Sequence, residues 1–197
     1  MKTGLVVLAV VALVALGAVG WFVSVGNDLV AKDQAVQESW AQVQNVYQRR
    51  ADLIPNLVET VKGFAAQERT VLEEVTRARA AASSMQITPE VLNDPAALRK
   101  FQEVQSQLGS ALSRLLVTVE RYPELKSNQN FLALQSQLEG TENRIAVERR
   151  RYNETVREYN TTVRRFPASI VASFRGFREK AFFEATPGSQ TPPAVKF

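Results

Sequence analysis

The first pattern along the chain is an uninterrupted apolar run. Residues 5–25, LVVLAVVALVALGAVGWFVSV, contain no charged side chain. A helix of this length spans about 32 Å, which matches the hydrocarbon core of a bilayer. The run is longer than the apolar core of a usual signal peptide, and Trp21 and Phe22 would lie at an interface that favours aromatic rings. The pattern predicts a membrane anchor over residues 1–27, with a signal peptide cleaved at ALGA as the main alternative.

After the anchor the apolar residues become periodic. They recur in steps of three and four along one stripe: Val36, Trp40, Val43, Tyr47, Ile54, Leu57, Val61, Phe64, Val71, Val75, Ala78 and Ala82. This period predicts a long helix that packs on other helices. Pro55 lies inside the stripe, and because the register continues across it we expect a kink there. The alternative is a break, with Asp52 capping a new helix.

Two more long helices follow. Asp94 and Pro95 form a helix start, and the next stripe runs in threes and fours from Leu98 to Tyr122, with Gln105 as its polar member. Ser127 or Asn128 opens the last helix, which Phe166-Pro167 ends. Its apolar residues are seven apart, and their spacing assigns them to the core: Phe131, Leu138, Ile145, Tyr152, Tyr159 and Phe166.

These stripes predict an all-α fold. An N-terminal transmembrane helix is followed by an antiparallel, coiled-coil-like bundle of three long helices, or four if Pro55 breaks the first. We place the bundle at residues 28–167. Residues 168–185 contain four phenylalanines among basic residues and are interpreted as a strap packed on the bundle, with the membrane surface as the alternative. Residues 186–197 are typical of a disordered tail.

Composition excludes most catalytic chemistry. The 197 residues include no His and no Cys, which excludes Cys or His zinc sites, Cys nucleophiles and Ser-His-Asp triads. Four charged residues lie on or beside the apolar stripes: Arg50, Glu68, Glu142 and Arg149. Since two arginines neutralise two carboxylates, we interpret them as interior polar residues that fix helix register. An enzyme using Glu68 and Glu142 as a carboxylate pair is the least favoured hypothesis, so we expect no catalytic site, metal or cofactor.

Charge is distributed unevenly along the chain. Residues 144–197 carry a net charge of +6 and residues 1–143 a net charge of −2. A solvated helix face is the preferred interpretation of this excess, anionic lipid comes next, and no nucleic-acid motif accompanies it. The candidate docking residues are Arg49, Pro55 and Asn56 around the proline, and Arg150 and Arg151 in the densest basic run.

Long ordered strings of the sequence carry a family resemblance. They are RRADLIPNLVETVKGFAAQE (49–68), TRARAA (76–81), YPELKSNQNFLALQSQLEGTENRIAVERRRYNETVREYNTTVRRFP (122–167), GF (176–177) and FFE (182–184). On these strings the chain resembles the LemA family of bacterial membrane proteins. Gln67 departs from the pattern, since relatives often carry His there, so no metal or acid-base role applies to that position. The resemblance implies one span in the bacterial plasma (inner) membrane, a helical bundle and no established enzymatic activity.

The leading hypothesis is a non-enzymatic scaffold or adaptor that docks another membrane or envelope protein. The alternative is a protein that binds anionic lipid surfaces or shapes membranes with its basic C-terminal third. Self-association is compatible with the heptad stripes, which are satisfied within one chain or between chains. Lys and Arg near the span give a bias of one charge toward an inside N-terminus, whereas the resemblance implies a cytoplasmic bundle.

Overall fold

A computed structural model describes residues 2–85 and 88–184, and over these residues the chain is all-α. The helices are α1 (Lys2–Phe64), α2 (Arg69–Ser84), α3 (Pro95–Val119), α4 (Pro123–Lys126), α5 (Gln129–Arg164) and α6 (Ala168–Arg175), with a 3-10 turn at Pro89–Asn93. The predicted tail, 186–197, lies outside the described residues.

The apolar segment and the first bundle helix form one continuous element. α1 has 63 residues and is therefore about 95 Å long. Its apolar part has a mean hydropathy of 2.7 and none of it is buried inside the fold, so it is long and apolar enough to cross a membrane. The predicted fold class, a membrane-spanning helix followed by a helical bundle, is confirmed.

The boundaries of the first two bundle helices differ from the prediction. α1 continues through Pro55, and the chain turns instead at residues 65–68, so a break at Pro55 is wrong and the stripe from Val36 to Ala82 belongs to two helices. The apolar pattern does not reveal this turn, because Val71 follows Phe64 by seven residues. The same spacing would keep both residues on one face of a continuous helix. The buried Ala65 and a backbone bond from Glu68 N–H to the Ala65 carbonyl hold this turn.

Four long helices make up the bundle. α1 and α5 run antiparallel, since Trp40 packs on Tyr152 while Arg50, further along α1, reaches Glu142. α2 packs on both α1 and α3. One core cluster lies far from the apolar segment of α1 and is mainly aliphatic, around Leu57. The other lies nearer that segment and is aromatic: Trp40, Tyr47, Phe101, Tyr152 and Phe183.

The helix starts follow the predicted chemistry. Asp94 accepts a hydrogen bond of 2.8 Å from Ala96 N–H at the start of α3. Asn128, rather than Ser127, caps α5 by accepting from the N–H groups of Asn130 and Phe131. Both side chains satisfy backbone donors that a helix start leaves unpaired.

The seven-residue series on α5 is buried from Phe131 to Tyr159, as predicted. Phe166 is the exception and is 77% exposed. The helix ends at Arg164, so position 166 no longer follows the helical phase that points its predecessors into the core. Its assignment to the core was wrong.

Candidate functional site

A buried arginine joins three helices in the middle of the bundle. Arg50 on α1 is 3% exposed, and its Nη1 donates to Glu142 Oε1 on α5 at 2.7 Å. Its Nη2 donates to the carbonyl oxygen of Gln105 on α3 at 3.3 Å and also to the side-chain Oε1 of Gln105. The guanidinium lies 5.1 Å from the centre of the Tyr47 ring. One side chain on α1 therefore bonds to both α3 and α5.

The other charged residues assigned to the interior lie at different places. Glu142 stands at the rim of the bundle, with its side chain 49% exposed. Arg149 is half-buried, with its guanidinium 4.8 Å from the centre of the Phe183 ring, and it donates to the Glu184 carbonyl at 3.0 Å. Arg149 thus contacts the C-terminal segment, whereas Glu142 accepts a hydrogen bond from Arg50.

Glu68 belongs to the far end of the bundle. Its carboxylate accepts hydrogen bonds from Tyr122 Oη at 2.8 Å and from Arg121 Nη2 at 3.1 Å. The bond to this carboxylate raises the pKa of Tyr122. Since Glu68 follows the end of α1, it lies about 20 Å beyond Arg50 along the bundle, and the structure does not bring it together with Glu142.

The described residues contain no group of three or more carboxylates that could hold a metal ion. The particular pair named by the enzyme hypothesis is also not assembled, because Glu68 bonds to Tyr122 and Arg121 while Glu142 bonds to Arg50. What the geometry does provide is a set of hydrogen bonds that fix helix against helix.

The proline in α1 has a specific structural partner. Pro55 has no N–H, so it cannot bond to the carbonyl of Ala51 one turn earlier. Arg79 on α2 donates from Nε to that carbonyl at 2.9 Å. Pro55 and Asn56 themselves are exposed. The carbonyl that the proline releases is used inside the protein, so only the exposed side chains of Pro55 and Asn56 are available to a partner.

The five candidate docking residues form two separate patches. Arg49 is exposed beside Pro55 and Asn56 and donates to Gln137 Oε1 at 3.2 Å. Arg150 and Arg151 are exposed on α5. Because α5 runs antiparallel to α1, these two arginines lie about 20 Å nearer the apolar segment than Pro55 does, measured along the bundle. The structure does not bring the two patches together.

A groove of about 820 Å³ separates α3 from α5, with α1 as its floor. Its α3 side combines small residues at helical spacing with larger ones; the small ones are Ser106, Gly109, Ser110 and Ser113, and the larger ones are Gln102, Gln105, Leu112 and Leu116. On the α5 side it is lined by Glu139, Glu142 and Asn143. Arg150 follows Asn143 by seven residues and so lies two turns further along the same face of α5.

The C-terminal segment is attached to α5 by two asparagines that sequence analysis missed. The first half of the predicted strap, 168–185, is the helix α6, and the name strap is kept from here on for residues 177–184, which follow α6 without regular structure. Asn153 Nδ2 donates to the Phe183 carbonyl at 2.9 Å, and its Oδ1 accepts from Phe183 N–H at 2.8 Å. Asn160 makes the same pair of bonds with Lys180, both at 2.9 Å. A carboxamide carries an N–H donor and an oxygen acceptor side by side. It can therefore pair with both the N–H and the carbonyl of one backbone residue, as a neighbouring β-strand does.

A sequence signal for this attachment was present. The dipeptide Tyr-Asn occurs twice at a spacing of seven, in YNETVREYN. Each tyrosine is buried and each following asparagine pairs with the strap, because consecutive helix positions point about 100° apart.

Further contacts tie the strap to the rest of the bundle. Tyr152 Oη donates to the Ala181 carbonyl at 3.0 Å, and Ala181 N–H donates to the Leu92 carbonyl at 2.8 Å. Lys180 Nζ lies 2.9 Å from Asp33 Oδ1 of α1, with both side chains largely buried. Burial, with the Asp33 carboxylate as a smaller cause, raises the pKa of Tyr159 to about 12. The strap is therefore part of the folded core.

Comparisons with known proteins place these features in a wider group. The model of the LemA family matches residues 39–197, from within α1 through the remaining helices and the strap. Magnetosome protein MamQ 2 of Paramagnetospirillum magneticum is 24% identical, over 84% of this chain and 67% of its own length. Magnetosome protein MamQ of Magnetospirillum gryphiswaldense gives the same values. Protein LemA of Metamycoplasma hominis is also 24% identical, over 84% of this chain and 73% of its own length.

Proposed function

The chain belongs to the LemA family, and on that premise we propose that it is a membrane-anchored, non-enzymatic scaffold or adaptor that docks another membrane or envelope protein. The observation that carries the proposal is the continuity of α1 from its apolar segment into the bundle. A rigid connection holds any docked protein at a fixed height and orientation above the bilayer.

The proposed docking surface is the groove between α3 and α5 together with the adjoining Arg150 and Arg151. Small residues on α3 allow the backbone of a partner helix to approach closely. Arg50 stiffens the groove because it joins its floor to both walls. Arg150 and Arg151 lie about 25 Å beyond the end of the apolar segment, counted along the bundle, within reach of a partner anchored in the same membrane.

The occupant we propose is a helix of a membrane or envelope protein with acidic side chains facing the two arginines. Opposite charges across an interface raise the association rate and fix the register of the partners. A second copy of this chain is the competing occupant, and the test below separates the two.

The test is affinity capture of the full-length chain from detergent-solubilised bacterial membranes, followed by identification of the bound proteins. The wild-type chain should recover one partner protein in a constant ratio to the captured chain. The double variant Arg150→Glu, Arg151→Glu should no longer recover that partner. The control, Arg77→Glu with Lys100→Glu, makes the same change of charge at exposed positions on α2 and α3 and should retain the partner.

Two outcomes would contradict the proposal. One is recovery of an untagged second copy of the chain, expressed alongside the captured one, and of no other protein, which would indicate self-association. The other is equal recovery by the wild type and the Arg150, Arg151 double variant, which would show that the basic surface is not the docking site.

For location we propose a single span in the bacterial plasma (inner) membrane with the bundle on the cytoplasmic side. The fold supports this because Arg165, Arg175 and Arg178 are exposed near the end of the apolar segment, although they are distant from it in sequence. Anionic lipids of the cytoplasmic leaflet attract basic residues held close to the surface. These three positive charges outweigh the bias of one charge toward an inside N-terminus, which comes from counting Lys and Arg near the span in the sequence.

A further inference from the structure

We propose that α6 and the residues before it form a second membrane contact, a short helix that lies in the headgroup region of an anionic bilayer beside the point where α1 emerges. This contact is separate from the docking role, and it would stand if no partner bound the groove. In this contact the exposed apolar residues of α6 are covered by the phospholipid interface.

The position of α6 is fixed by its contacts with α1. Val171 and Ala172 are buried against Leu29, and Phe22 and Val25 pack on the same cluster. The rings of Phe174 and Phe22 lie 5.7 Å apart at 77°. Since Phe22 belongs to the apolar segment, Phe174 lies level with the last turns of the membrane-spanning part of α1.

A close approach at Gly26 supports this placement. A Cβ at Gly26 would overlap the guanidinium of Arg175, so the absence of a side chain allows Arg175 to lie against α1. α5 brings the chain to the same level, because Val163 near its end also packs on the Leu29 cluster. The start and the end of α6 are therefore both held at the base of the bundle.

The outward side of this region is apolar. Phe166 is 77% exposed, Ile170 56% and Phe174 80%. Ile170 and Phe174 are four residues apart on one face of α6, and Phe166 lies just before the start of this helix. Other exposed apolar residues of the bundle, such as Val117 and Val147, lie on different helices. A cluster of large exposed apolar side chains marks a contact surface, and this one continues directly from the lipid-facing side chains of α1.

Cations that make no ion pair within the described residues adjoin the apolar residues along the chain. Arg165 precedes Phe166, Arg175 follows Phe174 and Arg178 comes three residues later, and all three are exposed, whereas Arg164 is paired with Glu179 and Lys180 with Asp33. An apolar face bordered by arginines is the pattern of a helix that lies in a membrane interface, with aromatic rings among the acyl chains and cations at the phosphates. We therefore expect anionic headgroups to strengthen the contact.

The test uses the fact that the chain contains no cysteine. Ile170→Cys carries a spin label in the full chain, reconstituted in vesicles of phosphatidylcholine and phosphatidylglycerol. Collision rates with oxygen, which concentrates in acyl chains, and with a water-soluble nickel chelate are compared. Val147→Cys and Val117→Cys are the controls, since both positions are exposed on the bundle away from α6.

At Ile170 the oxygen rate should exceed the nickel rate severalfold, and at both controls the order should be reversed. Arg165→Glu with Arg178→Glu should reduce the oxygen preference at Ile170, and so should vesicles without phosphatidylglycerol. Equal water access at Ile170 and the controls would overturn the proposal. So would protection of Ile170 that disappears when the protein is diluted with excess lipid, since a second copy would then be covering the face.

Discussion

The Nε of Arg79 donates a 2.9 Å hydrogen bond to the carbonyl of Ala51, the group that Pro55 leaves without its usual helical partner. This bond supports the continuation of the first helix through an internal proline, which the unbroken register of the stripe predicted. It also joins two of the strings that carry the family resemblance, RRADLIPNL and TRARAA, which are far apart in sequence.

The Arg79 bond can be tested by a double-mutant cycle. Arg79→Met leaves the buried Ala51 carbonyl unpaired and should lower the free energy of unfolding by about 1–3 kcal/mol. In the Pro55→Ala background the restored backbone N–H at position 55 can bond to the Ala51 carbonyl. Arg79→Met should then lower the free energy of unfolding by less than about 0.5 kcal/mol. Denaturant titration of the full chain in detergent measures both. Equal costs in the two backgrounds would contradict the assigned role, and Arg77→Met is the matched control on the exposed face of α2.

The two ends of the seven-residue series on α5 should respond differently to truncation. Tyr152 is fully buried, and Tyr152→Ala should cost about 3–5 kcal/mol because it leaves a large cavity. Phe166 is exposed, and Phe166→Ala should change the stability by less than about 0.5 kcal/mol. Thermal unfolding by circular dichroism distinguishes them. A change below about 1 kcal/mol for Tyr152→Ala would show that its side chain faces outward.

The strap should be released when its asparagine contacts are removed. Asn160→Ala deletes the partners of both the N–H and the carbonyl of Lys180, which should cost about 1–3 kcal/mol. Hydrogen exchange should speed up at the amides of residues 178–184 while that of the core of α5 is retained. Asn143→Ala, at an exposed position on the same helix, should leave the strap unchanged. Unaltered strap exchange in Asn160→Ala would refute the attachment.

The four tyrosines should ionise abnormally in the folded protein. Burial raises the pKa values of Tyr47, Tyr152 and Tyr159, and the bond to Glu68 raises that of Tyr122. A titration followed by tyrosinate absorbance should therefore have its midpoint above pH 10 in the native state and near pH 10 in denaturant.

The raised pKa values also set the pH dependence of stability. The neutral phenol is favoured by the folded state, so the stabilisation is complete below the unfolded pKa of about 10. It is lost as pH rises toward the folded pKa of Tyr159, about 12. Tyr159→Phe should flatten this alkaline decline. A native titration that matches the denatured one would contradict the burial of these phenols.

The side of the membrane can be determined by cysteine labelling. The arginines at the base of the bundle predict a cytoplasmic bundle, so Val147→Cys should react with a membrane-impermeant maleimide only after cells are opened. A cysteine introduced next to the N-terminus should react in spheroplasts without lysis. The reverse pattern would place the bundle outside and support the single-charge count of the sequence.

Periodicity by itself determined the class of the fold. The apolar run at 5–25, the stripes in threes and fours and the cap residues Asp94 and Asn128 report local physics, because burial of one helix face and satisfaction of backbone donors repeat at fixed spacings. The family resemblance was available for the same reason, since it lies in strings of adjacent residues. The polar role of Arg50 also followed from its place on an apolar stripe.

Tertiary structure alone decided the remaining features. A turn at 65–68 that keeps the heptad phase looks like continuous helix, and only packing of α2 against α1 and α3 shows where the chain reverses. The bond from Arg79 to Ala51, the pairing of Asn160 with Lys180 and the placing of Phe174 beside Phe22 join distant parts of the chain. Contacts of this kind depend on how helices meet in space, and the spacing of residues along one helix does not encode them.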